Sequence, residues 1–186
     1  HAAFINAQGS LDLIDATVTV NGGEGSDQVI LDDTLDSEGA AGEMTSAALT
    51  GLGMGGSGLI LYNGANDGAN EVERLQINLD GGDNVFRIQS TASNTTTTIE
   101  GRSGDDTFNV EATDGTAVIY GDSQAVEILF GSSEQIVTPG NDLFRIGSDT
   151  GAADPLPGSS LNQISGRVEI RGFDTENTTD TLRLYD

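Results

Sequence analysis

Apolar and polar residues alternate along much of this chain in short runs. The clearest runs are 11–14, 17–20, 75–79, 86–88, 108–110, 168–170 and 182–184. A period of two residues places successive side chains on opposite faces of a β-strand. Most runs are flanked by Gly, Asp or Asn, which favour tight turns. The pattern therefore predicts an all-β protein in which each run forms one short strand.

A larger unit of strand, glycine-rich corner, aspartate and second strand recurs along the chain. It is found at 18–31, 77–88, 97–110, 136–146 and 168–184. Recurring units of this kind are typical of proteins whose successive repeats stack on one another. Because the corners are unequally spaced, we predict a right-handed parallel β-solenoid with irregular coils and loop insertions. A β-sandwich is the alternative fold.

Two insertions interrupt this pattern. The first spans 36–58, and its apolar residues Met44, Leu49, Leu52 and Met54 are compatible with either a short helix or an additional strand. The second spans 147–166 and holds two of the three prolines. Neither resembles a linker between domains. Residues 1–186 are therefore predicted to form a single module, as one segment or subunit of a larger array.

The charge of the chain limits its partners. Thirty acidic residues against seven basic ones give a net charge of −23, and self-repulsion of that size destabilises a compact state unless cations bind. Nucleic acid is excluded as a partner because phosphate binding needs Lys and Arg. An anionic membrane surface is excluded for the same reason. No apolar run approaches the ~20 residues of a membrane span.

The metal chemistry open to this chain uses oxygen ligands. The sequence contains no cysteine, so thiolate sites and disulfides do not contribute. Asp carboxylates, Asn side chains and backbone carbonyls are abundant, and these are the ligands that hard cations prefer. Calcium is therefore the predicted cofactor.

One nine-residue pattern combines glycines and aspartate in a form suited to such a cation. Residues 22–30 fit every fixed position of Gly-Gly-x-Gly-x-Asp-x-apolar-x. Residues 101–109 fit it with Arg102 at the second glycine, 81–86 form a shortened version, and 140–144 keep its second half. Glycines permit a sharp corner whose carbonyls point at an ion, and the aspartate adds a carboxylate.

These matches define the candidate metal ligands. The predicted site residues are Gly23, Gly25, Asp27, Asp83, Asp105, Asp106 and Asp142. Asp32 and Asp33 are weaker candidates. The alternative is that each corner aspartate bonds nearby backbone amides, as aspartate commonly does in turns.

The four segments resemble the hemolysin-type, or RTX, calcium-binding repeats. In that family successive corners stack and complete a calcium site between them, whereas this chain lacks consecutive perfect nonapeptides. The order of 32–34, 50–54, 75–79 and 95–98 is also similar to tandem segments of very large secreted bacterial surface proteins. The resemblance implies a secreted, extracellular protein of the cell surface or matrix, with a structural or adhesive role.

Three classes of function follow from these features. The first is a calcium-stiffened adhesive spacer that contacts surface glycans. The second is a filament or matrix subunit, joined to other copies or flanking repeats through open solenoid ends. The third class comprises a polysaccharide-active enzyme and an ice-binding protein. Because the sequence offers no discriminating carboxylate pair and no convincing threonine ladder, we expect a structural protein and not an enzyme.

Overall fold

The computed structural model describes residues 1–5, 9–63, 72–122, 140–147, 160–172 and 178–185. These residues form an all-β fold, which confirms the predicted class. The strands are β1 Ala2–Ile5, β2 Thr17–Thr19, β3 Gln28–Asp32, β4 Ala41–Met44, β5 Ala48–Gly51, β6 Leu59–Leu61, β7 Arg74–Asn78, β8 Val85–Ile88, β9 Thr96–Arg102, β10 Thr107–Val110, β11 Thr116–Asp122, β12 Leu143–Ile146, β13 Val168–Arg171 and β14 Thr181–Leu184. A short 3₁₀ helix, Leu161–Gln163, precedes β13. No helix within the described ranges has the length and apolarity that crossing a membrane requires.

The strands belong to two sheets. The first sheet has the order β1-β3-β7-β9-β11-β13, and every adjacent pair is parallel. The second has the order β14-β12-β10-β8-β4-β5-β6-β2, in which the two pairs made by β5 are antiparallel. From β7 to β14 the described strands alternate between the two sheets. Equivalent positions of successive strand pairs therefore stack in register.

Side chains that face inward stack in rows between the sheets. In the second sheet the register aligns Gly42, Phe86, Phe108, Phe144 and Leu182. The rings of Phe108 and Phe144 stack with their centroids 5.3 Å apart. In the first sheet the register aligns Leu31, Ile77, Ile99, Ile119 and Ile170. The three phenylalanines of the second sheet and the leucine and isoleucines of the first join one hydrophobic cluster, so the core lies between the two sheets.

The sequence of the first insertion is compatible with either a helix or a strand, and in the structure it forms strands. β4, β5 and β6 make an antiparallel meander, and Met44, Leu49 and Leu52 are buried in the core. The turn after β5 contains Leu52 at a φ of 51°, next to Gly53 at 70°. In the second sheet, β5 and β6 lie between β4 and β2. The strand β2 therefore pairs with β6 and is separated from β4.

One predicted strand is wrong. Residues 11–14 form a turn in which the Ile14 N–H donates to the Leu11 carbonyl at 2.9 Å. The Leu11 N–H donates to Asp33 Oδ1 at 2.7 Å. Leu11 is fully buried, so its apolar character reflects burial within a turn. Two other predictions, the strand that begins at Ile136 and residues 148–159 of the second insertion, lie outside the described residues.

The aromatic row of the second sheet generates a stability prediction. Phe108→Ala removes a fully buried ring that packs against Phe144. We expect a loss of about 3–5 kcal/mol in the free energy of unfolding, because large-to-small changes in a core leave a cavity. Urea unfolding followed by circular dichroism measures the difference.

Phe4→Ala is the matched control, since Phe4 is 69% exposed. Its effect should stay below about 1 kcal/mol, as for most surface substitutions. Equal losses for the two variants would contradict the packing described for the second sheet.

Candidate cation-binding edge

One edge of the fold collects acidic and amide side chains. From β3 onward, it comprises the segments that lead from a strand of the first sheet to the next strand of the second sheet, and we call it the acidic edge. Its described segments are 33–40, 79–84, 103–106, 140–142, 172 and 178–180. Since the strands on either side pair in register, equivalent positions of these segments lie in rows across the strand pairs.

The inner row of the acidic edge contains the residue directly before each of β4, β8, β10, β12 and β14. Its members are Ala40, Asn84, Asp106, Asp142 and Asp180. Each backbone N–H donates to the side-chain Oδ1 of the next member along the chain. The donor–acceptor distances are 2.9 Å for Ala40 to Asn84, 2.8 Å for Asn84 to Asp106, 2.9 Å for Asp106 to Asp142 and 3.0 Å for Asp142 to Asp180.

The outer row lies one residue earlier and runs the other way. Its members are Asp83, Asp105, Asn141 and Thr179. The Asp105 N–H donates to Asp83 Oδ1 at 2.9 Å, and the Asn141 N–H donates to Asp105 Oδ1 at 2.8 Å. The Thr179 N–H donates to Asn141 Oδ1 at 3.0 Å. These four side chains are exposed, whereas the inner row is largely buried.

Glycines at the ends of the first-sheet strands make room for the inner row. Gly101, Gly121 and Gly172 occupy equivalent register positions. A Cβ on Gly101 would overlap Asp106 Oδ2, and one on Gly121 would overlap Asp142 Oδ2. None of the three has a positive φ. At these positions glycine is needed for space and not for its backbone freedom.

The inner row places carboxylates where they are poorly solvated. Asp106 and Asp142 are each 1% exposed, and the Oδ2 atom of each is buried without a hydrogen-bond partner among the described residues. Burial raises the pKa of Asp106 to about 8, and the charges of Asp142 and Asp80 add to the increase. Burial likewise raises the pKa of Asp142 to about 7, with further contributions from Asp122 and Asp180.

Two groups of three aspartates bring their carboxylates together at this edge. Asp122, Asp142 and Asp180 each place one carboxylate oxygen within 4.8 Å of the other two. Asp33, Asp36 and Asp80 do the same. In each group two members are buried and the third is partly exposed. Oxygen atoms at this spacing, from carboxylates, suit a hard divalent cation.

Arginine ion pairs lie on the outer faces of the sheets. Arg87 binds Glu111 through Nε at 2.7 Å and Glu43 through Nη1 at 3.0 Å. Arg167 and Arg171 both pair with Glu169. These contacts neutralise a glutamate in β4, one directly after β10 and one in β13, away from the inner row.

The structure brings together four of the predicted ligands. Asp83 and Asp105 lie in the exposed outer row, and Asp106 and Asp142 lie in the buried inner row. The register shows that Asn84, and not Asp83, is the counterpart of Asp106.

The best sequence match lies on the opposite edge. Gly23, Gly25 and Asp27 precede β3, where the chain passes from the second sheet to the first. Asp27 is buried, its N–H donates to Glu73 Oε2 at 2.6 Å, and its Oδ1 lies 3.0 Å from the amino nitrogen of His1. It does not join the carboxylate rows of the acidic edge.

The two nine-residue matches nevertheless share a backbone conformation. The second position is left-handed in both, with φ of 88° at Gly23 and 81° at Arg102. The fourth position is also positive, with 126° at Gly25 and 106° at Gly104. Arg102 therefore adopts a conformation that favours glycine. The same corner conformation therefore occurs on both edges. Within the described residues, its carboxylates form rows only on the acidic edge.

Sequence reasoning missed several residues of the edge as ligands. They are Asp36, Asp80, Asn84, Asp122, Asn141 and Asp180, while Asp33 was a weaker candidate together with Asp32. A signal for the inner row was present, because Asn84, Asp106, Asp142 and Asp180 each precede a strand with Phe or Leu two positions later. Aligning the segments on that aromatic or leucine position would have found Asn84 and Asp180.

Comparison with known proteins does not assign the chain to a family. No family model matches the chain, and no curated protein or solved structure matches it. The geometry of the acidic edge therefore carries the functional interpretation.

The raised pKa values of the inner row predict a pH dependence in metal-free solution. The folded state holds a proton on Asp106 up to about pH 8, whereas an unfolded aspartate loses it near pH 4. The folded state thus binds more protons between these values, so the stability should fall as the pH rises through that window. Thermal melting in EDTA from pH 4 to pH 9 measures the trend.

Asp106→Asn is the diagnostic variant, since Asn84 already occupies the equivalent position and accepts the same type of bond. It should lose less stability than the wild type as the pH rises. Asp106→Ala removes the acceptor of the Asn84 N–H and should be about 1–3 kcal/mol less stable than Asp106→Asn at every pH, because a buried donor is left unsatisfied. A wild type whose stability rises over this window would contradict the description of the inner row.

Proposed function

We propose that this chain is an extracellular structural or adhesive module, built as a β-solenoid and stabilised by Ca²⁺ at its acidic edge. The observation that carries the proposal is the group formed by Asp122, Asp142 and Asp180, in which buried carboxylates converge on one another. The resemblance of residues 101–109 and 140–144 to RTX repeats agrees with it.

The sheet topology supports a solenoid over a β-sandwich. β-Sandwiches of the common kinds are antiparallel, whereas every pair of the first sheet is parallel. The alternation of β7 to β14 between the sheets places each strand beside the strand two elements earlier. In this reading, β5 and β6 are an insertion within one coil.

Electrostatics supports a bound cation. Three carboxylates within 4.8 Å repel one another unless protons or a cation neutralise them. Ca²⁺ takes six to eight oxygen ligands in flexible geometry, which carboxylates, backbone carbonyls and water can supply, whereas Mg²⁺ demands near-ideal octahedral geometry. The irregular spacing of the coils favours the more tolerant ion.

The proposed location follows from the same chemistry. Extracellular modules commonly bind calcium with Kd values of about 10⁻⁴–10⁻³ M, and such sites fill only where calcium is abundant. A net charge of −23 would be relieved in the same environment. Calcium would thus act as a structural component that stiffens the module outside the cell.

The first test is melting in EDTA, in 10 mM calcium chloride and in sodium chloride of matched ionic strength. Only calcium should raise the melting temperature, because a ligand that binds the native state alone stabilises it by mass action. At about 100 times Kd the gain is about 2.7 kcal/mol per site. Circular dichroism follows the transition.

Asp142→Asn should reduce the calcium-dependent gain, since it removes one of the three charges but keeps the acceptor of the Asp106 N–H. Glu24→Gln is the control, because it removes the same charge from an exposed residue at the other edge. Identical melts in all three solutions would remove calcium from the proposed function.

A second candidate function is self-assembly, and the surface beside β14 favours it. Leu182 and Leu184 continue buried rows of the second sheet yet are 55% and 59% exposed. Because β2 runs parallel to β14 through the sheet, a second copy could continue the sheet in the same direction. A filament or matrix subunit would bury these leucines.

This candidate predicts concentration-dependent association in calcium. Sedimentation velocity should show assemblies of the wild type that Leu182→Glu abolishes, because a buried carboxylate would be unpaired at the interface. Val85→Glu is the matched control, since Val85 is 49% exposed on β8, which lies inside the second sheet and away from both of its ends. A wild type that stays monomeric at all concentrations would rule out assembly through this end.

A further inference from the structure

The group of Asp33, Asp36 and Asp80 lies outside the nine-residue matches. Asp33 follows β3 directly, Asp36 lies three residues further on, and Asp80 follows β7 at the paired strand. One carboxylate oxygen of each lies within 4.8 Å of the other two. The group therefore joins two neighbouring segments of the acidic edge.

Both buried members leave one carboxylate oxygen without a partner. Asp33 and Asp80 are each 0% exposed, and the Oδ2 atom of each is buried and accepts no hydrogen bond from the part of the chain that the structure describes. Their Oδ1 atoms are occupied, because Asp33 Oδ1 accepts the Leu11 N–H at 2.7 Å and Asp80 Oδ1 accepts the Gly82 N–H at 2.6 Å. An unpartnered buried carboxylate oxygen is costly unless it binds a proton or a cation.

The surroundings of the group are acidic. The neighbouring charges that act on Asp33 come from Asp36, Asp80 and Asp12. Asp36 is partly exposed and its Oδ1 accepts the Ser37 N–H at 2.7 Å, which fixes its side chain beside the buried pair. Asp36 is thus the one member of the group that solvent reaches.

We propose that Asp33, Asp36 and Asp80 hold a second divalent cation of the Ca²⁺ class. The inference extends the calcium part of the proposed function to a site that the nonapeptides do not mark. Through Leu11, the ion would tie the turn at 11–14 to the segments after β3 and β7. It would therefore fix the start of the insertion that carries β4, β5 and β6.

Backbone amides report each site separately in the wild-type protein. The Leu11 and Gly82 N–H groups bond Asp33 and Asp80, whereas the Asp106 and Gly140 N–H groups bond Asp142 and Asp122. Titration with calcium chloride, followed by ¹H–¹⁵N NMR, should shift the Leu11 and Gly82 resonances saturably. Their hydrogen exchange should slow as the carboxylates become fixed.

Asp36→Asn tests the ligand set, and Asp12→Asn is the matched control. Asp12 is exposed and contributes charge near Asp33 without belonging to the group. Asp36→Asn should weaken the calcium response of Leu11 and Gly82 by about tenfold or more, since affinity depends on the number of charged ligands. Asp12→Asn should shift it by less than about threefold, as expected of a screened surface charge.

The outcomes separate this inference from the proposed function. A response at Asp106 and Gly140 without one at Leu11 and Gly82 would overturn the second site and leave the first intact. Silence at all four amides would overturn both. A response at Leu11 and Gly82 that Asp36→Asn leaves unchanged would also overturn the ligand assignment, and the wild-type titration stands if that variant does not fold.

Discussion

The hydrogen bonds between backbone N–H groups and side-chain oxygens of the next strand pair hold the acidic edge together. The chain passes from β7 to β8 in six residues and from β9 to β10 in four, so these corners have few backbone partners of their own. Buried N–H groups at Asn84, Asp106 and Asp142 would otherwise be unsatisfied, at a cost of about 1–3 kcal/mol each. Asp and Asn place an oxygen at the required distance from the chain. The register of both sheets depends on this arrangement.

The same arrangement buries carboxylate oxygens whose negative charge the proposed cations would neutralise. An inner-row side chain uses Oδ1 for the backbone and carries its second polar atom into the corner, where Gly101 and Gly121 leave room for it. At Asn84 the second atom is a nitrogen that donates to Asp80 and to the Gly82 carbonyl. At Asp106 and Asp142 it is an oxygen without such a partner. Asp106 and Asp142 therefore each satisfy a backbone N–H and also place a second carboxylate oxygen in the buried corner.

The alternating sequence predicted the strand content because period-two patterns report directly on half-buried strands. It placed β7, β8, β10, β13 and β14 well, yet it mistook 11–14 for a strand, since a buried turn residue is equally apolar. The rows were harder to predict. Residues 22–30 and 101–109 are alike in sequence and in corner conformation, but only register decides which carboxylates meet, and register is a property of paired strands. Glycines such as Gly121 look like turn residues although their role is steric.

The opposed directions of the inner and outer rows have an electrical consequence. In an α-helix the peptide dipoles point one way, so a macrodipole develops along the axis. Here the inner row donates toward later strand pairs and the outer row donates toward earlier ones. The N–H dipoles of the two rows therefore oppose each other along the stacking direction. Further repeats of this pattern would add N–H dipoles of both directions, so these dipoles would not sum along the edge as peptide dipoles do along a helix.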